Sequence, residues 1–302
     1  MLPVISALQK ADAGRVLPGE LMSLHTTWKI GGPADVLIIP ETKNQLSRVL
    51  QILQDHNTPW HVFGRGSNLL VADSGIRGAV ILLGGSMQEA RWENGLLVAG
   101  GGYSLIKLAV MAGKAGMTGL EFAGGIPGTV GGAVFMNAGA HGADISGILK
   151  QAEVVFGYEE PTILLADELQ FAYRHSLLHE KPGIVTEAVF HLEPGDRNEI
   201  AGAMAAYKDR RLRTQPLQLA CAGSTFRNPP GHHAARLIEA AGLKGMRVGG
   251  AEVSSLHANF IINTGNATAK DVLTLVASIR ETIHAQYGIM LVPEIQTVGV
   301  LD

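Results

Sequence analysis

Apolar positions in this chain come in two textures, brief continuous runs and stripes at helical spacing, and their order predicts a strand-rich first half followed by a more helical second half. After a lead-in, "TTWKIGGPADVLIIP" (26–40) sets paired glycines before a short apolar strand. "ETKNQLSRVLQILQDHN" follows with Thr42 and Gln45 at capping-box spacing and with Leu46, Val49, Leu50 and Leu53 on one helical face. "WHVFG", "LLVAD" and "AVILLGG" are too short for helices and predict three strands, joined by "RGSN" and "SGIRG". In "ARWENGLLVAG", Asn94 and Gly95 separate two strand-like runs, a hairpin signal because both positions tolerate positive φ. A helix is expected from near Ser104 to Gly116, and residues 152–196 read as two strands, a short turn region and a strand.

The texture changes at "LEPGD". Asp196 and Glu199 open a helix that ends in "YKDRRLR", a shorter helix spans "HHAARLIEAAG" and is closed by Gly242, and "HANFIIN" predicts a strand. Thr268 and Asp271 start the last long helix, whose apolar stripe is Val272, Leu275, Val276, Ile279 and Ile283; Gly288 ends it and "IMLVPEIQTVG" returns as a strand. These elements predict a β-α-β layer after residue 196, distinct from what precedes it, with domains at 1–195 and 196–302.

Composition narrows the function classes. With 302 residues, 46% of them apolar, the chain can build two cores, and its net charge of −3 gives no overall basic field for nucleic acid or an anionic membrane. "MLPVISALQKADAGRVLPGE" lacks the basic flank and long apolar run of a secretory signal, and no apolar run reaches the roughly eighteen residues needed to span a bilayer. A single cysteine, Cys221, precludes an internal disulfide and any CxxC pair, so a cytoplasmic protein is expected.

Any anionic ligand must therefore be caught locally, and glycine is where to look. "FGRGSNLLVAD" places Gly64, Gly66, Ser67 and Asn68 after a strand, but a further strand-like run follows instead of a helix, which breaks the dinucleotide GxGxxG pattern. What remains is either an anion-binding nest of successive N–H groups or an ordinary glycine turn. "GGIPGTVGGAVFMNAGAHG" (124–142) has seven glycines in nineteen residues, and Pro127 and Gly128 precede a short helix whose first turn is expected to offer unpaired N–H groups to phosphate. Close packing of that helix against backbone is the alternative. Two such segments without a lysine point to a diphosphate held by backbone.

Other candidates are individually weak. The cations of "YKDRRLRTQP" suit a second anion or simply a helix C-terminus. His232 and His233 lack a metal-ligand cluster, so no metal is expected. Ser224 lacks a GxSxG elbow, and Arg174 and Glu294 are lone charges in apolar surroundings, suited to a buried ion pair or a site.

Taken in order, "TTWKIGGPAD", "GRGSNLLVADSGIRG", "GLEFAGGIPGTVGGAVFMNAGAHG", "FAYRHS", "AGSTFRNP", "HANFIIN" and "VPEIQ" resemble the UDP-N-acetylenolpyruvoylglucosamine reductases of bacterial cell-wall synthesis, the MurB type, in their shorter subclass, over Thr26 to Gly299. The resemblance implies an α+β fold: a PCMH-type FAD-binding fold of two subdomains (about 1–83 and 84–195), then a smaller α/β substrate-binding domain whose last strand returns to the first subdomain. It implies non-covalent FAD and NADPH as co-substrate, with the enolpyruvyl ether of UDP-N-acetylglucosamine reduced to UDP-N-acetylmuramate by a monomer. It places Gly64, Arg65, Gly66, Ser67, Asn68 and Leu69, and Gly124, Gly125, Ile126, Pro127, Gly128, Thr129, Gly131, Gly132, Asn137 and Ala138, along the cofactor.

The same resemblance puts Arg174, Ser224 and Glu294 at the reacting centre, where Arg174 would stabilise charge on the substrate carboxylate and Ser224 would protonate the ether-bearing carbon. Glu294 would be either protonated or paired with Arg174. Tyr207, Arg211, Arg213 and Asn228 are the candidates for the UDP diphosphate. Another flavin oxidoreductase of this fold, acting on an alcohol or hydroxy acid, and a non-catalytic flavin-binding module are the competing readings; a histidine or cysteine tether to flavin would favour the first, and neither His141 nor Cys221 lies in a tether motif.

Overall fold

Helix comes first in the protein, seen in a computed structural model that describes residues 1–300. Leu2–Lys10 (α1) has proline in its first turn and buries Val4 and Leu8, and Arg15–Pro18 follows as a strand. Neither element is predicted by the apolar pattern of this lead-in. Six further α-helices follow among the described residues: Lys43–Asp55 (α2), Leu105–Ala115 (α3), Val130–Met136 (α4), Arg197–Thr214 (α5), Ala234–Ala240 (α6) and Ala269–Tyr287 (α7).

The described residues form two units. The first contains Met1–Pro18, Val36–Gly64 and Gly78–Arg210. One of its sheets runs Arg15–Pro18, Ala34–Ile39, Ile76–Leu82, Trp60–Phe63, antiparallel at the first pairing and parallel at the last. α2 covers it as expected: Thr42 accepts the Gln45 N–H, the Gln45 side chain accepts from Glu41, and Leu46, Val49, Leu50 and Leu53 are all buried. Each of those side chains contributes about 1.5–3 kcal/mol through burial.

A second sheet in this unit is antiparallel throughout, in the order Thr162–Leu165, Leu149–Phe156, Gly183–Phe190, Leu96–Gly100, Ala90–Glu93. The predicted hairpin turn is there, with Asn94 at φ 50° and Gly95 at φ 79°. α3 begins at the Ser104 cap and stops where Gly116 enters the left-handed region. With α4 it packs on the sheet through Leu105, Leu108, Val130 and Val134 against Leu97, Val154 and Ala188.

The second unit takes Gly19–Asp35 and Arg65–Arg77 together with the chain from Arg211 onward. The chain therefore changes unit within α5 and at four points in its first third. The physical reason is core composition: Trp28, Ile30 and Leu70 are buried among Val272, Leu275, Ile279 and Ile283, and Trp28 Nε1 donates to the Ile261 carbonyl at 2.8 Å. The expected β-α-β layer is instead an antiparallel sheet, Ala220–Cys221, Ile261–Asn263, Ala251–Val253, Arg247–Val248, because its strands are linked by turns and returns that reverse direction. The last strand, Gln296–Val298, runs parallel to Leu69–Val71 in a separate pair.

α7 has the predicted stripe buried and the predicted capping box formed. The Thr268 backbone N–H donating to Asp271 holds its carboxyl below the ordinary carboxylate range. Asp73, from the distant "LLVAD" segment, accepts the N–H groups of Ala269 and Lys270 at 2.8 and 3.1 Å. A carboxylate at a helix N-terminus is favourable, so this pair of bonds fixes α7 to the loop that follows residues 69–71.

Candidate active site

Strand Trp60–Phe63 delivers the chain to Gly64, where a Cβ would lie 2.5 Å from Thr129 Oγ1, the N-cap oxygen of α4. Gly66 has φ +63°, and a Cβ there would lie 2.4 Å from the His25 carbonyl oxygen. The N–H groups of Arg65, Gly66 and Ser67 donate to no acceptor among the described residues. Three successive donors beside a glycine at positive φ form the kind of concavity that receives an anion. The nest reading of "GRGSN" thus gains over the ordinary turn.

α4 corrects its expectation. Its first-turn donors are already engaged: Val130 N–H donates to the Tyr103 carbonyl, Gly131 N–H to the Gly101 carbonyl and Gly132 N–H to Thr129 Oγ1. A Cβ on Gly131 would sit 3.1 Å from the Gly101 oxygen, so this glycine serves close packing. The donors without an acceptor among the described residues lie just upstream, on Gly128 and Thr129, and a Cβ on Gly128 would meet nothing within 4 Å. Within the second unit residues 65–67, and within the first Gly128 and Thr129, are the parts of the glycine-rich sequence whose unengaged backbone donors suit phosphate oxygens.

Beyond α4 the same stretch seats Arg174. Ala172 and His175 exchange backbone hydrogen bonds around a two-residue turn, and Arg174 occupies its second place at φ 53°. A non-glycine residue at positive φ is sparsely populated and clusters at functional sites. Both flanks of the turn are tied to the end of α4: Asn137 Nδ2 donates to the Ala172 carbonyl at 3.1 Å, and Ser176 Oγ donates to the Phe135 carbonyl at 2.7 Å. Asn137 also reaches Asp144 through Nδ2 and accepts from Ser146 N–H, so its side chain holds this turn. One guanidinium nitrogen of Arg174 donates to the Gly139 carbonyl at 2.7 Å, and its carbon lies 5.0 Å from the Tyr173 ring centre.

In the other unit, Ser224 and Glu294 lie on neighbouring backbones. Glu294 N–H donates to the Thr225 carbonyl at 2.8 Å, Arg227 N–H donates to the Val292 carbonyl at 2.9 Å, and Phe226 pairs with Pro293. Asn68 Nδ2 donates to the Glu294 carbonyl at 3.0 Å, while the Asn68 carbonyl accepts from Gln296 N–H at 2.9 Å. Gly223, at φ +49°, would bring a Cβ to 3.9 Å from the Ser67 oxygen. The "GRGSN" loop, the Ser224 segment and the Glu294 segment are consequently one hydrogen-bonded assembly, drawn from three distant parts of the chain.

Residues 34–160 match a family described as "FAD binding domain", and residues 215–298 match "UDP-N-acetylenolpyruvoylglucosamine reductase, C-terminal domain". The chain is 50% identical over 299 residues to a UDP-N-acetylenolpyruvoylglucosamine reductase of Bacillus velezensis, covering 98% of each, and 48% identical over 302 residues to that of Bacillus subtilis, covering 99% of each. The crystal structure of UDP-N-acetylenolpyruvylglucosamine reductase (MurB) from Thermus caldophilus is similar at a TM-score of 0.83, with 39% identity over 94% of this chain and 99% of that one. The chain belongs to the UDP-N-acetylenolpyruvoylglucosamine reductase family. Its α+β, PCMH-type FAD-binding fold follows with that membership.

As a UDP-N-acetylenolpyruvoylglucosamine reductase it needs groups for a nucleotide substrate, and the four candidate residues for that work are differently placed. Tyr207 on α5 stacks face to face on His141, with ring centres 3.8 Å apart and planes 3° apart, a contact with no signature in the sequence. Arg211 Nε is buried without an acceptor among the described residues, and burial pushes the guanidinium below its ordinary range. Arg213 is exposed. Asn228 Oδ1 accepts the N–H of Ala234, the first residue of α6, at 3.0 Å, which ties up the side-chain oxygen. Cys221 is a free thiol whose pKa is raised by burial.

The nest gives a direct check on the cofactor. Gly66→Ala places a Cβ against backbone at positive φ and is expected to lose most of the bound flavin, read as the flavin-to-protein absorbance ratio of the purified chain. Gly95→Ala, also at positive φ but with nothing within 4 Å, isolates backbone strain and is expected to retain it. A full flavin complement in Gly66→Ala would remove that loop from the cofactor site.

Proposed function

We propose that Arg174, Ser224 and Glu294 form the reacting centre for the family's reaction, NADPH-dependent reduction of UDP-N-acetylenolpyruvoylglucosamine to UDP-N-acetylmuramate in peptidoglycan precursor synthesis. The observation that carries the assignment is the Asn68 bond to the Glu294 carbonyl, because it fastens the anion-binding loop directly to the segment that lies beside Ser224. FAD, when bound, supplies the two-electron redox chemistry that couples NADPH oxidation to reduction of the enol ether. Gly64 to Leu69 and Gly124 to Ala138 are the segments assigned to it, with the N–H groups of Arg65, Gly66, Ser67, Gly128 and Thr129 as the diphosphate donors.

The chain's own residues then have separable tasks. Arg174 is a permanent cation with donors beyond the one on Gly139, and it binds the substrate carboxylate and stabilises the negative charge that reaches it as the double bond is reduced. Ser224 gives its proton to the ether-bearing carbon. A hydroxyl is a weak acid, so this step needs a strongly basic carbon held at hydrogen-bonding distance. Glu294 is the neighbouring acid able to return a proton to Ser224. Tyr207, Arg211 and Arg213 grip the UDP portion, Arg211 through the buried Nε–H that has no acceptor among the described residues.

Residues 1–195 are assigned to FAD binding and 196–302 to substrate binding, with Gly19–Asp35 and Arg65–Arg77 contributing structurally to the second unit. Among the described residues no helix is long and apolar enough to cross a membrane. A monomer working in the cytoplasm, where NADPH and nucleotide sugars are available, completes the reading. The test is spectroscopic and anaerobic: NADPH should bleach the flavin and UDP-N-acetylenolpyruvoylglucosamine should restore its colour. Restoration by oxygen with turnover of a hydroxy acid, and none by the enol ether, would sink the proposal.

A further inference from the structure

We propose that Asn259 is the positioning residue for Ser224, an inference that rests on the assignment of Ser224 as proton donor. Asn259 is 4% exposed and makes three hydrogen bonds to the segment that follows Ser224. Its backbone carbonyl accepts the Thr225 N–H at 2.8 Å, while the side chain makes the other two: Oδ1 accepts the Phe226 N–H at 3.0 Å and Nδ2 donates to the Phe226 carbonyl at 2.8 Å. The Thr225 N–H belongs to the peptide plane that carries the Ser224 carbonyl, so the first bond acts on Ser224's own backbone. The side-chain amide grips Phe226 as a neighbouring strand would, with one donor and one acceptor on a single residue.

Nothing else described on that side does this work. Thr225 is 1% exposed and its Oγ1 is buried without a partner among the described residues, so its hydroxyl does not anchor the segment. The opposite side of the segment is held by Glu294 N–H, which donates to the Thr225 carbonyl. Ser224 thus begins a short stretch clamped between Asn259 and the backbone of Glu294, and Asn259 sets where both proposed proton-transfer groups stand. Asn259 is itself held: its N–H donates to His257 Nδ1 at 3.3 Å, so the imidazole presents that nitrogen as an acceptor. The choice of asparagine follows from this, since aspartate would lack the donor and glutamine would overreach.

The test uses flavin-loaded Asn259→Ser beside Ser224→Ala and the double variant. Asn259→Ser is expected to be bleached by NADPH within about twofold of the parent rate but restored by the enol ether about 10²-fold more slowly, the scale of a misplacement of about 1 Å. Phe226, whose N–H loses its side-chain acceptor, should lose amide-exchange protection in Asn259→Ser and not in Ser224→Ala. If Asn259 acts through Ser224, the double variant should be no slower than Ser224→Ala alone. Additive losses, or unchanged restoration in Asn259→Ser when Ser224→Ala is slow, would overturn the proposal. Normal restoration in Ser224→Ala would instead sink the assignment of Ser224. Asn259→Asp, which keeps the acceptor for Phe226, replaces the serine variant if that one does not hold flavin; failure of both to fold would assign Asn259 to the core alone and overturn the inference.

Discussion

Arg174→Lys should restore flavin colour with UDP-N-acetylenolpyruvoylglucosamine about 10²- to 10³-fold more slowly than the parent enzyme, the range found when one preorganised stabiliser of developing charge is lost. Bleaching by NADPH should stay within a few-fold of the parent. The substitution keeps the charge, so simple attraction of an anion to this side chain survives it. What goes is the planar fork: Arg174 already directs one nitrogen to the Gly139 carbonyl, and its other donors remain in fixed geometry relative to that bond. A lysine ammonium on Gly139 would have no second, rigidly placed donor for a carboxylate.

Backbone strain also makes Arg174 a clean place to test. The residue sits at φ 53°, and Lys suffers the same Cβ clash in that region as Arg, so the turn's energetics are matched between the two. The turn itself is fixed from outside by Asn137 and Ser176, neither of which the substitution alters. Anaerobic stopped-flow with each substrate separately distinguishes the outcomes. Equal losses in bleaching and restoration would mean that Arg174 maintains the fold of its turn and has no special relation to the enol ether.

Where the determining contacts lie within a few residues, the fold is legible in the amino-acid sequence. α2, α3 and α7 announce themselves through caps and apolar stripes, and the Asn94–Gly95 hairpin through its two residues tolerant of positive φ. α1 carries no such mark, because Val4 and Leu8 are too few buried positions to set a period over nine residues. The assembly of 19–35 and 65–77 with the C-terminal part is hidden for a different reason: Trp28 meets Ile261 across 233 positions, and nothing near either residue encodes the other.

The site divides along the same line. "GRGSN" is readable as an anion nest because its donors are its own backbone. In 124–142 the glycine count suggests one cradle, whereas the structure separates packing at Gly131 from unengaged backbone donors at Gly128 and Thr129, and the end of the stretch holds the Arg174 turn. Asn137 and Asn228 stand out as polar residues near motifs, yet both side chains work within the protein, one on a turn and one on a helix end. Asn259, which grips Phe226 from 33 positions away, has no local mark at all.

Ser224→Ala is expected to leave bleaching by NADPH unchanged and to slow restoration by the enol ether by about 10²- to 10⁴-fold, the contribution of a positioned general acid. The hydroxyl is small and half-buried, and Ser224 precedes a segment held by backbone bonds from Glu294 and Asn259, so its removal should not disturb the segment. That separation gives the experiment its force. A structural serine would be expected to cost both half-reactions or flavin retention, whereas a proton donor costs only the step in which carbon is protonated. In deuterated water the parent's restoration should slow through transfer from Ser224, and Ser224→Ala should show a different solvent isotope effect because water must then supply the proton. Ser224→Cys restores an ionisable hydrogen at the same position, and partial recovery there would follow from acidity, since a thiol is the stronger acid. If Ser224→Ala loses bleaching as severely as restoration, Ser224 is not the donor, and the proton must come from another group near the segments joined by Asn68, Thr225 and Glu294.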